Sequence, residues 1–247
     1  MNLRSLTFVS ALAAMGAVFG ADVVTGNSCA AMAIPAAGDY TLIAVPFKEL
    51  GGAGQTVKVA DLVKTIGLKA GSMLYYYDGT DYYAWNLAAD DGTWQGVAVT
   101  REIDGKSVTT ASPGSDFALP CGSTLWLQRA AGSAASVLVY GEDGTAIRTA
   151  VRAGTVQLVS NPKAEDHTVS EAGSDGDLLM IPDATGAQAI YTYKTSKEGW
   201  CTYAEGTATV GGTTIPTMVY TKTTVTIPGG RGAWYVSKGS TVPTFNW

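Results

Sequence analysis

The chain has 247 residues, of which 15% are charged and 46% hydrophobic, with 12 Tyr, 6 Trp and a formal net charge of -5. That apolar share excludes disorder along the whole chain and is enough for one or two packed domains. An acidic balance without a Lys/Arg run excludes a nucleic-acid surface and a polybasic membrane contact, and one His with 3 Cys excludes the usual zinc sites and multi-histidine acid/base chemistry.

Residues 1–20 open with a short basic region at Arg4, continue through an uncharged apolar stretch from Leu6 to Phe19 and reach small residues at Val18 and Gly20. The pattern predicts a secretory signal peptide cleaved after Gly20 or Ala21. The apolar stretch falls short of the roughly 20 residues that a membrane span requires, so no span is expected in the mature protein. Export permits disulfides, and Cys29, Cys121 and Cys201 all persist after cleavage. An odd count leaves one thiol outside any single intrachain bridge. All three pairings stay open on the sequence; Cys29 with Cys121 is favoured because both lie in the same half.

The chain repeats itself. Ala37, Gly38, Leu42 and Pro46 recur at one constant spacing as Ala153, Gly154, Leu158 and Pro162. Pro120, Gly122 and Trp126 recur as Pro228, Gly230 and Trp234, and Gly71 to Leu74 followed by Asp78 resembles Gly176 to Leu179 followed by Asp183. Three matches in the same order predict two homologous modules, residues 21–145 and 146–247, with loops of unequal length between matched strands.

Within each module the runs are those of strands: short, β-branched and aromatic, bounded by Gly, Pro and Asp. In the first they are Tyr40 to Pro46, Met73 to Tyr77, Tyr82 to Leu87, Ser123 to Gln128 and Ser136 to Tyr140. Asp78-Gly79-Thr80-Asp81 between two of them is a tight hairpin signal. Val59, Leu62, Val63 and Ile66 make one helical stripe over 59–66, which Gly67 ends. The second module offers Val156 to Val159, Leu178 to Ile181, Ala189 to Tyr193, Met218 to Thr221, Thr223 to Ile227 and Ala233 to Val236. The expected fold is therefore all-β, with two antiparallel β-sandwich-like modules in tandem and one short helix. Pro120 and Pro228 should end or edge strands, Gly122 and Gly230 should sit in turns, and Trp126 and Trp234 should be large plugs of the module cores.

The order TLIAVPF (41–47), GSMLYYYDG (71–79), YYAWNL (82–87), LPCGSTLWLQR (119–129) and VLVYG (137–141) resembles β-rich modules of poorly characterised secreted and cell-surface proteins of bacteria and archaea. The resemblance covers nearly the whole mature chain and implies an envelope location and an architectural role. The second module departs from it, with Asn161-Pro162 in place of Val45-Pro46 and a diluted Tyr hairpin at Ile190 to Lys194.

Tyr75, Tyr77, Tyr82, Tyr83 and Trp85 form a candidate aromatic strip on which sugar rings could stack, with Asp78, Asp81 and Asn86 as hydrogen-bonding neighbours. Acidic side chains gather over 165–177 (Glu165, Asp166, Glu171, Asp175, Asp177) but lack the Asp-x-Asp-x-Asp-Gly ladder of a calcium loop, so no metal and no cofactor is expected. His167 has no Gly-x-Ser-x-Gly elbow to serve, and no catalytic residue stands out. These features predict a non-enzymatic secreted or surface structural/interaction protein, with a glycan, an envelope protein or another copy of itself as partner. The alternatives are a carbohydrate-binding protein and a subunit of an extracellular filament.

Overall fold

The computed structural model describes residues 23–26, 29–35, 40–48, 55–62, 68–90, 92–133, 136–143, 148–183, 187–240 and 242–247. The predicted signal peptide (1–20) and the second half of the predicted helix (63–66) lie outside the described residues. In the first half the elements are β1 (Val23–Gly26), β2 (Cys29–Pro35), β3 (Tyr40–Ala44), β4 (Phe47–Lys48), β5 (Thr56–Lys58), the four-residue helix α1 (Val59–Leu62), β6 (Met73–Tyr77), β7 (Tyr82–Leu87), β8 (Trp94–Val97), β9 (Val99–Ile103), β10 (Lys106–Thr110), β11 (Ala118–Pro120), β12 (Thr124–Gln128) and β13 (Ser136–Asp143). In the second they are β14 (Arg148–Ala150), β15 (Val156–Ser160), β16 (His167–Thr168), β17 (Leu178–Pro182), β18 (Gln188–Lys194), β19 (Gly199–Val210), β20 (Thr213–Lys222), β21 (Thr226–Ile227), β22 (Gly232–Val236) and β23 (Thr244–Asn246). The protein is almost entirely β, and its sheets are antiparallel. Among the described residues no helix is long and apolar enough to cross a membrane.

The first half forms a five-stranded sheet in the order β3-β12-β6-β7-β8, and the second a six-stranded sheet in the order β15-β22-β17-β18-β19-β20. In both, the last long strand inserts between the first and the second. Each half also has a small pair beside its main sheet, β11 with β5 and β16 with β21. The registers correspond: Trp126 faces Leu42 and Tyr75, and Trp234 faces Leu158 and Met180. So do the loop hydrogen bonds. Val59 N–H donates to Phe117 O and Val169 N–H to Val225 O; Gly71 N–H donates to Leu87 O and Gly176 N–H to Tyr193 O.

Alternation decides what each sheet buries. In β12, Leu125 and Leu127 point inward and are fully buried with Leu74, Trp85, Leu87, Trp94, Val57, Val59, Leu62 and Leu119. In β22, Ala233 and Tyr235 do the same with Val159, Leu179, Trp200, Ile227 and Phe245. Strand geometry then sends Trp126 and Trp234, one residue out of phase, to the opposite face. The expectation that they plug the core of their own module is corrected: both are half-buried, and their rings meet each other with centroids 5.4 Å apart.

The two sheets therefore touch through their central and first strands. Ala44 N–H donates to Gly230 O at 2.9 Å, Ile43 bridges to Arg231, and Ser160 Oγ donates to Gly122 O at 2.8 Å. Gly232 allows this approach, because a Cβ there would stand 2.5 Å from Thr124 Cγ2 and 3.0 Å from Leu42 Cβ. Gly122 and Gly230 hold positive φ angles (81° and 68°) in the turns that enter the central strands, which explains why both positions are glycine. Pro120 closes β11 and Pro228 directly follows β21, where the missing N–H breaks no ladder.

Candidate functional site

The candidate strip lies on the β6–β7 hairpin, whose turn is built by Asp78. Its Oδ1 accepts the N–H groups of Thr80 and Asp81, both at 2.8 Å, while Gly79 takes φ 104°. The bond from the Asp81 N–H, followed by others in the turn, holds the Asp78 carboxyl below the usual carboxylate range. Arg101, from β9, ties the turn to the neighbouring hairpin. Its Nη1 donates to Thr80 O at 2.9 Å, its Nη2 pairs with Asp81 Oδ1 at 2.7 Å, and its guanidinium lies 5.7 Å from the Tyr82 ring centre.

Register divides the five aromatics between two faces. Tyr77 pairs with Tyr82, and the two exposed rings stack with centroids 4.4 Å apart. Tyr75 shares their face, half-buried, with its hydroxyl donating to Gln128 Oε1 at 3.0 Å. Tyr83 and Trp85 belong to the other face. Trp85 is fully buried, and its indole N–H donates to Pro113 O at 2.9 Å; Tyr83 packs with Tyr76, Phe117 and Trp85. The outward strip is thus Tyr75, Tyr77 and Tyr82, extended by the exposed Tyr40 of β3, which pairs with Gln128. Tyr40 escapes a sequence reading because its neighbour β12 comes from far along the chain.

The other sequence candidates are occupied in holding loops. Asp177 is fully buried and accepts the Tyr235 hydroxyl (2.6 Å), the Lys238 N–H (2.6 Å) and the Ser174 N–H (2.8 Å). Burial first, and then the Asp177 carboxylate, pushes the Tyr235 hydroxyl far above the ordinary tyrosine range. Ser72 stands at the matching place in the first half and accepts the Ala130 N–H. Asp175 accepts from Thr195 N–H and Lys194, and Asp166 from Gly229 N–H. His167 Nε2 lies 3.1 Å from Glu171 Oε1, and the imidazole meets the Trp247 ring edge-on at 4.6 Å. Among the described residues no group of three or more His, Cys, Asp or Glu side chains converges on a metal position. Cys201 is a buried free thiol, while the Cys29 side chain lies outside the described residues, as does its candidate bridge to Cys121.

Compared with protein-family models, with curated proteins and with solved structures, the chain matches none.

The two faces of the hairpin should respond differently to truncation. Trp85→Ala is expected to cost about 3–5 kcal/mol of unfolding free energy, whereas Tyr77→Ala, at an exposed ring, should cost less than about 1 kcal/mol. Denaturant midpoints of the two variants check this; equal losses would place both rings in the core.

Proposed function

We propose that the protein is a secreted or surface-associated, non-enzymatic structural and interaction component of the cell envelope, built from two tandem β modules. The observation that carries this reading is how the polar and apolar side chains are distributed. Asp78, Asp175 and Asp177 are engaged in holding turns and loops, while exposed large apolar side chains stand on several strands and hairpins, among them Tyr77 and Tyr82 on β6–β7, Ile103 and Val108 on β9–β10, and Tyr203, Val210, Ile215, Met218 and Val219 on β19–β20. Such patches on a lightly charged surface mark contact with a partner. The same strand order in both halves, together with the matched registers, supports a duplicated unit, and the predicted signal peptide supports export. The resemblance to surface β modules points the same way. Fractionation of the native host, with mass spectrometry of the protein, tests the location. The chain is expected outside the cytoplasm, beginning at residue 21 or 22 and cleavable by protease added to intact cells. A full-length cytoplasmic chain would overturn the proposal.

A second reading, carbohydrate binding, is favoured by the row of Tyr40, Tyr75, Tyr77 and Tyr82 on one outward face. Aromatic rings with an open face stack on sugars, and Arg101 keeps the Tyr82 side of the row in place. On a glycan array the mature protein should bind, and Tyr77→Ala or Tyr82→Ala should weaken that binding at least about tenfold, in keeping with the contribution of a central aromatic to an interface. Absence of any glycan signal, or indifference to both substitutions, would sink this reading.

A further inference from the structure

The loop between β14 and β15 brings Arg152 of the second half against the β6–β7 hairpin of the first. Its backbone is held at three points. The Val151 N–H donates to Pro243 O at 3.2 Å, the Arg152 N–H to Gln157 Oε1 at 2.9 Å, and the Thr155 hydroxyl to Arg152 O at 2.8 Å. The guanidinium beyond that anchored backbone is exposed and, among the described residues, enters no ion pair and no hydrogen bond. Both of its terminal nitrogens lie beside the Asp78–Asp81 turn, since a Cβ on Gly79 would stand 3.6 Å from Nη1 and 3.9 Å from Nη2. With glycine there, that side of the guanidinium stays uncovered.

The neighbouring aromatic is Tyr77, whose hydroxyl donates to Gly79 O at 2.8 Å, so the ring and the guanidinium border the same residue. Tyr82 has Tyr77 stacked on it and Arg101 over its ring, whereas Tyr77 is exposed and has no second ring or cation against it among the described residues. The carboxylates of the turn are engaged elsewhere. Asp81 pairs with Arg101 at 2.7 Å; Asp78 accepts two turn N–H groups on Oδ1, and its Oδ2 lies 3.3 Å from the hydroxyl of Tyr83, which belongs to the other face. Arg152 is left as a cation that no carboxylate pairs with, at the edge of an open aromatic ring.

We propose that the sugar taken by this strip is acidic: a hexuronate ring lies against Tyr77, and the Arg152 guanidinium donates two hydrogen bonds to its carboxylate. The proposal rests on the carbohydrate-binding reading and names the class of its ligand. A planar guanidinium matches a carboxylate in fork geometry, which a neutral hydroxymethyl group at the same ring position does not reproduce. The anchored backbone of Arg152 limits the freedom lost when the ligand arrives. Tyr77 comes from one half of the chain and Arg152 from the other, so neither half alone holds the site. The net charge of -5 opposes a long acidic polymer at a distance, which makes short oligosaccharides the fitting probes.

Isothermal titration of the mature protein with oligogalacturonate, oligomannuronate and oligoglucuronate, each beside its carboxyl-reduced neutral form, tests the proposal. One of these acids is expected to bind at least about tenfold more tightly than its reduced form, the scale of a single charge-assisted contact. Arg152→Gln should abolish that preference while leaving the affinity for the neutral form and the denaturant midpoint unchanged. Arg152→Lys, which keeps the charge but not the fork, should keep part of the preference. Tyr77→Ala should weaken binding of both forms. Equal binding of acidic and neutral forms, or a preference that survives Arg152→Gln, overturns the acidic ligand and leaves the carbohydrate reading standing. Sulfated oligosaccharides bound in place of the uronates overturn the carboxylate assignment. Binding of none of these sugars, with an empty glycan array, overturns both readings.

Discussion

Both sheets depend on a strand that arrives last. Thr124–Gln128 fills the slot between Tyr40–Ala44 and Met73–Tyr77, and Gly232–Val236 fills the slot between Val156–Ser160 and Leu178–Pro182. Until each central strand is in place, its two neighbours lack the ladder bonds that join them. Most of the sheet's cohesion is therefore non-local, and loop-closure entropy is lost before the contacts that offset it form. The inward side chains make the insertion favourable. Leu125 and Leu127 in one half, and Ala233 and Tyr235 in the other, complete apolar clusters that no earlier segment closes.

The same two strands join the sheets. Alternation puts a tryptophan on the outward face of each, and the two rings meet while Ala44 and Ser160 donate to the turn carbonyls of Gly230 and Gly122. Each donor lies at the end of a first strand, and each acceptor in the turn that opens a central strand. The contact therefore runs reciprocally between corresponding parts of the two halves. Gly232 shows how close this approach is, because its counterpart Thr124 occupies the space that a side chain there would need.

Much of this was legible in the sequence, for a physical reason in each case. The Asp78–Asp81 turn was readable because glycine with flanking carboxylates is a local solution to a local geometry. The split of Tyr75 and Tyr77 from Tyr76 follows from period two alone. The bulk of Trp126 and Trp234 argues for a place in the core of each half, whereas the flanking apolar residues at one-residue spacing claim that face and send both rings to the other. Trp85 went the other way: an apparent member of a binding strip is a buried plug anchored on Pro113 O. Arg101 and Tyr40 stayed hidden because their roles depend on partners distant in sequence. The Gly199–Val210 strand was unreadable because its Thr- and Ala-rich run shows no apolar alternation, and a ribbon paired only with itself needs none.

The distribution of charge links fold to function. In a chain with so few ionised side chains, carboxylates such as Asp78 and Asp177 are engaged in fixing turns, and the proposed contact role rests on the exposed aromatic surface that remains. The joint between the central strands sets how the two sheets meet. A double-mutant cycle tests the joint most directly, with Trp126→Ala, Trp234→Ala and the double variant unfolded in denaturant beside the wild type. The account predicts a coupling of about 0.5–1.5 kcal/mol between the two rings. Strictly additive losses would contradict it, because they would mean that the two sheets do not meet at these tryptophans.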